Sequence, residues 1–154
     1  MRTATYDSPI GPLGLGWDGQ GRVSRLSFAP LRPDGGKPGE IPDAVRAGLD
    51  AYFAGERQAL ARVPWAVDGE GFEARVWRLL AEIPAGATWT YGEIARRAGE
   101  PGGAQAAGRA LNRNPVALVL PCHRVVGADG SLTGFGGGLE RKRWLLQHEG
   151  ALLL

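Results

Sequence analysis

Sulfur and imidazole are scarce in this chain. Its 154 residues include one cysteine, one methionine and two histidines. No disulfide can close within it, and a structural zinc site has too few soft ligands. Charge is nearly balanced at a net +2, which argues against a general polyanion-binding surface. No apolar run approaches the roughly 20 residues of a membrane span, and Met1 to Tyr6 holds no signal-peptide core. A soluble, cytoplasmic protein without a membrane partner is expected, with 154 residues enough for one domain or two small ones.

Against that scarcity, the one cysteine sits beside a histidine in Pro121-Cys122-His123-Arg124-Val125-Val126. The preceding Val116-Ala117-Leu118-Val119-Leu120 is apolar and predicts a buried strand, ended by Pro121, which has no N–H for a ladder. The thiol would then stand at the end of a rigid core strand. A lone cysteine is ordinarily a small buried hydrophobe. A second reading is open here, because Cys122, His123 and Glu149 in Gln147-His148-Glu149-Gly150 supply a thiol, a base and a carboxylate to orient the base. Neighbours on an extended chain point to opposite faces, so Cys122 and His123 need a turn or a bridging water to communicate. Between Tyr91 and Arg124, five arginines (96, 97, 109, 113 and 124) stand against Glu93 and Glu100. They form either a solvated face or a cationic patch around the thiol.

Residues 1–64 read as a small α/β subdomain in which nothing carries chemistry. Arg2 to Tyr6 and Leu13 to Trp17 are strand candidates around a turn at Ser8 to Gly14. Asp18-Gly19-Gln20-Gly21 turns into the alternating Val23 to Phe28. Arg32 to Gly39 reads as a loop. Pro42-Asp43 opens a helix with Val45, Leu49, Tyr52 and Phe53 at helical spacing, ended by Gly55.

After Val63-Pro64-Trp65, residues 65–154 read as a mostly helical domain. Phe72, Val76, Leu79 and Leu80 mark a helix stopped by Pro84 and Gly86. Thr90 to Glu93 is a capping box, with Thr90 taking an orphan amide and Glu93 reaching back. It opens a helix with Ile94 and Ala95 inward and Arg96 and Arg97 outward. Ala104 to Asn112 is a second short helix of little bulk. The pair resembles a helix-turn-helix or a packed helical hairpin. The smooth second helix suits a narrow minor groove or tight helix packing better than base readout. Thr133 to Gly138 is a glycine loop whose amides can approach a ligand, without the Lys-Ser/Thr ending of a phosphate loop. Leu139 to Glu149 is a final helix with Leu139, Leu145 and Leu146 inward, ended by Gly150.

Together these residues resemble the O6-alkylguanine-DNA alkyltransferases, or methylated-DNA–protein-cysteine methyltransferases. That family's Pro-Cys-His-Arg-Val motif follows an Asn-Pro and precedes a glycine loop and a helix ending in Glu-Gly. Here these are Asn114-Pro115, Pro121 to Val126, the loop around Phe135, and Trp144 to Gly150, so the match covers about residues 70–150. The resemblance implies an α/β protein with a small N-terminal ribonuclease H-like subdomain (1–64). The C-terminal alkyltransferase domain (65–154) would carry a winged-helix-like helix-turn-helix. It implies DNA repair by irreversible transfer of an alkyl group from O6-alkylguanine to Cys122, once per molecule, with base flipping from the minor-groove side. The partner would be double-stranded DNA containing the lesion. The protein would be a monomer without cofactor or metal, in the cytoplasm and at the nucleoid when acting.

By the same resemblance, His123 is the base through a water, Glu149 orients it, and Asn114 holds the active-site loop. Tyr91 protonates the departing guanine. Lys142 hydrogen-bonds near the thiol, the Val125 carbonyl and Gly136 amide line the guanine pocket, and Phe135 stacks on the base. Gln105, Ala106, Arg109 and Arg113 meet the DNA. Phe135 stands where a tyrosine is common and Gln105 where an arginine is usual. The family also has alkyltransferase-like members that bind alkylated DNA with the cysteine replaced; the presence of Cys122 argues against that alternative.

Overall fold

The strand candidates between Arg2 and Phe28 pair as an antiparallel meander. The computed structural model describes residues 1–31, 36–132 and 134–152. Strands β1 (Arg2–Ser8), β2 (Gly11–Trp17), β3 (Val23–Ser27) and β4 (Lys37–Pro38) form a sheet of order β3-β2-β1-β4. β1 pairs with β2 along its full length, from Arg2 opposite Trp17 to Ser8 opposite Gly11. The turn expected over Ser8 to Gly14 is therefore only Pro9-Ile10, closed by Gly11 at φ 103°. Leu13, Leu15 and Trp17 are buried along β2, and between them Gly14 lets another backbone pass. A Cβ there would lie 2.5 Å from the Ala29 carbonyl oxygen.

Lys37-Pro38 pairs in parallel with β1, so this end of the expected loop is strand, while residues 32–35 lie outside the described residues. Helix α1 (Asp43–Phe53) buries Val45, Leu49 and Tyr52 at the spacing read from the sequence. Tyr6 donates to Asp50 Oδ1 at 2.6 Å, tying β1 to α1. These elements and Pro115–Val119 make up one unit; Val67–Asn114 and the chain from Leu120 onward make up the other.

Pro115–Val119 corrects the strand expected before the cysteine. Only Val116 makes a bridge, to Leu26, and Leu118 then takes φ 71°. A leucine in the left-handed region ends any ladder. The segment is apolar because it is buried as an irregular turn.

In the second unit, helices α2 (Phe72–Leu80), α3 (Tyr91–Arg97), α4 (Ala104–Asn112) and α5 (Leu139–His148) accompany a two-stranded parallel pair. This pair, β5 (Trp89–Thr90) and β6 (Val125–Val126), sets Trp89 beside Val125. The start of α3 is thereby held next to the residues that follow the cysteine. Ala107 and Ala110 of α4 are fully buried, and Trp77 Nε1 donates to the Ala110 carbonyl at 2.7 Å. The missing bulk on this side of α4 serves close packing.

Thr90 accepts the Glu93 amide at 3.1 Å as expected of an N-cap. Glu93 does not reach back; its carboxylate is taken by Arg96 at 2.6 Å and Arg97 at 2.7 Å, one turn along the same face. In α5 the buried positions are Lys142, Leu145 and Leu146, while Leu139 is 49% exposed. The inward stripe begins one turn later than expected and is completed by a lysine.

Candidate active site

The route into the cysteine is a pair of three-residue turns. The Val119 amide donates to the Ala117 carbonyl at 2.9 Å around Leu118, the hand of γ-turn that is sterically costly for a bulky residue. Pro121, at φ −80° and ψ 70°, then centres an inverse γ-turn in which the Cys122 amide donates to the Leu120 carbonyl at 2.8 Å. That carbonyl also accepts Asn114 Nδ2 at 2.8 Å. Asn114 thus grips the residue two before the thiol.

Cys122 opens a 3₁₀ turn, Cys122–Arg124, instead of ending a strand. With three residues per turn, successive side chains leave the axis about 120° apart. Cys122 lines a cavity, while His123 (0% exposed) and Arg124 (6%) are directed into the interior.

There both meet Glu149, which follows α5 and is itself fully buried. His123 Nε2 lies 2.7 Å from Glu149 Oε2. Arg124 donates through Nε to Oε1 at 2.8 Å, through Nη2 to Oε2 at 2.9 Å, and through Nη1 to the Ile83 carbonyl at 2.6 Å. Nε2 facing a carboxylate carries the proton, so Nδ1 keeps its lone pair. Nδ1 is buried and has no hydrogen-bond partner among the described residues. Fully buried Lys142 donates to the Val125 carbonyl at 2.6 Å, and its Nζ lies 6.0 Å from the Phe135 ring centroid.

Burial pushes His123 below its ordinary value, opposed by Glu149 and reinforced by Arg124 and Lys142. Burial alone would raise Glu149, but its partners His123 and Arg124 outweigh this and lower it from 4.5 to about 2. Lys142 is lowered by burial, an effect that the charge of Cys122 opposes. A histidine depressed in the fold contributes stability above its unfolded value near 6.5 and loses it as pH falls below that. Glu149 follows at lower pH, losing its contribution between 4.5 and about 2. Unfolding free energy is therefore expected to fall from pH 7 to pH 5 with a slope of up to ~1.4 kcal/mol per pH unit from His123. Urea denaturation at several pH values checks this. The curve for His123→Gln should lack that slope, and parallel curves would contradict the account.

The cavity has a volume of about 510 Å³, within the range of small-ligand pockets. Besides Cys122 it is lined by Tyr91, Gln105, Arg109, Phe135 and Gly136. Tyr91, the first residue of α3, places its hydroxyl 3.4 Å from the Gly134 carbonyl. Gln105 and Arg109 are exposed and one turn apart on α4. Between them Gly108 faces Tyr91, whose ring carbons would lie in ordinary contact, at 3.9 Å, with an added Cβ. Not every expected residue reaches the cavity. Arg113 is exposed and paired with Glu73 at 3.2 Å, and Ala106 and Val125 are not among the lining residues.

Sequence reasoning gave Arg124 no role of its own, counting it in the motif and in an arginine cluster that was either a solvated face or a cationic patch around the thiol. Leu111, Asn112 and Gly127 also line the cavity without having been expected there. No group of His, Cys, Asp or Glu able to hold a metal occurs among the described residues, nor any helix long and apolar enough to cross a membrane.

Comparison with known proteins places this arrangement in company. A family profile described as "6-O-methylguanine DNA methyltransferase, DNA binding domain" matches residues 71–151. A methylated-DNA–protein-cysteine methyltransferase of Methanosarcina acetivorans is 43% identical, over 98% of this chain and 99% of its own. One of Mycobacterium bovis is 47% identical, over 94% of this chain and 90% of its own. A crystal structure of Mycobacterium tuberculosis OGT in complex with DNA superposes with a TM-score of 0.88 at 42% identity, covering 98% of this chain and 94% of that one.

Proposed function

The chain belongs to the methylated-DNA–protein-cysteine methyltransferase family, and from that premise we propose that it repairs DNA by taking the alkyl group of O6-alkylguanine onto Cys122. The observation that carries the reading is the single thiol lining a cavity large enough to admit a base, adjoining a buried His123–Glu149 pair. An unperturbed thiol is only ~3% thiolate at neutral pH, so a base that removes its proton matters. His123 Nδ1 accepts that proton through a bridging water. The thiolate attacks the alkyl carbon in line, a C–S bond forms, and the C–O6 bond breaks with its electron pair passing to guanine. Tyr91 protonates the departing guanine and recovers a proton from the imidazolium or solvent. The thioether has no ready leaving group, so each molecule acts once.

The target base must leave the stack to reach Cys122, at a cost of a few kcal/mol that is lower for a damaged pair. Within residues 65–154, α3 and α4 act as a winged-helix-type helix-turn-helix, and the face of α4 that carries the exposed Gln105 and Arg109 enters the minor groove. Residues 1–64 are a ribonuclease H-like domain. The protein works as a monomer in the cytoplasm, on chromosomal DNA, without cofactor. Phe135 stacks on the flipped base and Gly136 lets its amide approach it. The Val125 carbonyl serves indirectly, by holding Lys142 near the thiol. The stoichiometry tests the function: titrating labelled O6-methylguanine duplex should end transfer at one methyl per protein, a plateau set by protein amount and not by time. Tight binding of the lesion without any transfer would instead identify a non-catalytic binder.

On the duplex, Gln105 fills the gap left by the extruded base, and Arg109, one turn on, holds a phosphate. Ala106, beside Gln105, and Arg113, one turn beyond Arg109, lie on the same DNA path. Arg109→Ala is expected to weaken binding evenly across sequences and reduce the salt slope by about one unit. Gln105→Ala should slow repair of duplex while sparing reaction with the free alkylated base. Unchanged duplex repair in Gln105→Ala, with an Arg109→Ala defect that leaves the salt slope intact, would contradict this division of labour.

A further inference from the structure

His123 has one carboxylate partner, and that carboxylate is shared. Glu149 Oε2 receives both His123 Nε2 and Arg124 Nη2, while Oε1 receives Arg124 Nε. The guanidinium is anchored a third time on the Ile83 carbonyl, and its side chain is 7% exposed. A buried carboxylate shared with a two-point arginine still attracts a second cation, but less than an unshared one would.

We propose that Arg124 is a positioning residue that keeps His123 neutral, protonated on Nε2 and open on Nδ1, so that the imidazole is an empty proton acceptor before DNA arrives. The proposal rests on the reading of His123 as the base for Cys122. Its chemistry is simple. An imidazolium formed beforehand from solvent has no lone pair with which to take the thiol proton. With Arg124 in place, Glu149 and Arg124 cancel, and a neutral imidazole adds no buried charge. When the thiol proton reaches Nδ1, the new imidazolium lies between the Glu149 carboxylate and the fresh thiolate, both negative.

The charged groups acting on His123 are Glu149, which draws a proton to it, and Arg124 and Lys142, which repel one. Cys122 adjoins it in the same turn. Lys142 is engaged by the Val125 carbonyl, whereas Arg124 bonds directly to the carboxylate that His123 uses. Loss of Arg124 therefore changes sign-specifically what the ring sees: a carboxylate no longer offset by the guanidinium.

The test is nitrogen NMR of the imidazole rings in the full-length protein, where only His123 and His148 contribute and a His148→Asn variant assigns them. Wild-type His123 should show one protonated and one bare ring nitrogen at neutral pH. Arg124→Gln should show both nitrogens protonated there, its titration midpoint raised by at least about one unit. Arg124→Lys, which restores the charge, should restore the bare Nδ1. A purely structural anchor on Ile83 would leave the ring state unchanged in Arg124→Gln and overturn the proposal, as would an imidazolium in the wild type. Where Arg124→Gln does not fold, Arg124→Lys decides: a neutral ring supports the proposal and a charged ring overturns it. Alkyl transfer is assayed separately. Its absence in the wild type would refute the proposed function yet leave the ring-nitrogen result standing.

Discussion

Replacing His123 with alanine is expected to slow alkyl transfer by about 10²- to 10⁴-fold at neutral pH, with the deficit shrinking as pH rises past the ordinary thiol range. The reason is the thiolate population. At neutral pH the thiol needs a base to lose its proton; near pH 9, hydroxide in bulk water makes the thiolate unaided. The ring also sits in a 3₁₀ turn adjoining Cys122 and is fully buried, so no other side chain among those described replaces it without rearrangement. Glu149→Gln should show the same trend in weaker form, because the amide still orients the ring but no longer stabilises an imidazolium. Single-turnover rates with protein in excess, measured across pH, provide the check. A loss of equal size at every pH would assign His123 to structure.

The second large effect is on stability. Glu149→Ala is expected to cost about 3–5 kcal/mol of unfolding free energy, because it strands Arg124 in the interior. The guanidinium would keep only the Ile83 carbonyl of its three present contacts. Most of that cost is an uncompensated buried charge and not the net worth of the pair. The double variant Arg124→Met/Glu149→Met should therefore recover much of it, with strong non-additivity between the single changes. Denaturant unfolding of the two single variants and the double variant measures this. A loss below about 1 kcal/mol, the worth of an exposed pair, would mean that water reaches the cluster.

Cys122, His123 and Glu149 stood out as candidates in the sequence because their signals are local: thiol and histidine are adjacent, and the Glu-Gly pair marks a helix end. The helix with Val45, Leu49 and Tyr52, and the Thr90 cap, were legible for the same reason, since periodicity and capping act over a few residues. What depended on distant partners was not. Val116 to Leu120 has the composition of a strand, but it has one bridge, to Leu26, and its path is set by Leu118 in a left-handed conformation. Nothing in a leucine announces that. The burial of Arg124 was not legible, because the carboxylate that allows it lies 25 residues away, just beyond α5. Glu93 had two competing uses, a backbone amide and the arginines at i+3 and i+4, and the arginines hold it. Leu139 shared the stripe of Leu146, yet burial starts a turn later at Lys142.

The central claim is that Cys122 is the acceptor of the alkyl group. Intact-mass measurement after incubation with O6-methylguanine duplex, followed by peptide mapping, tests it most directly. The account predicts a gain of one methylene unit in mass, localised to Cys122, and a Cys122→Ser variant that binds the same duplex but gains nothing. A wild-type protein that binds the damaged duplex while its mass stays unchanged, or that carries the methyl group on another residue, would contradict it.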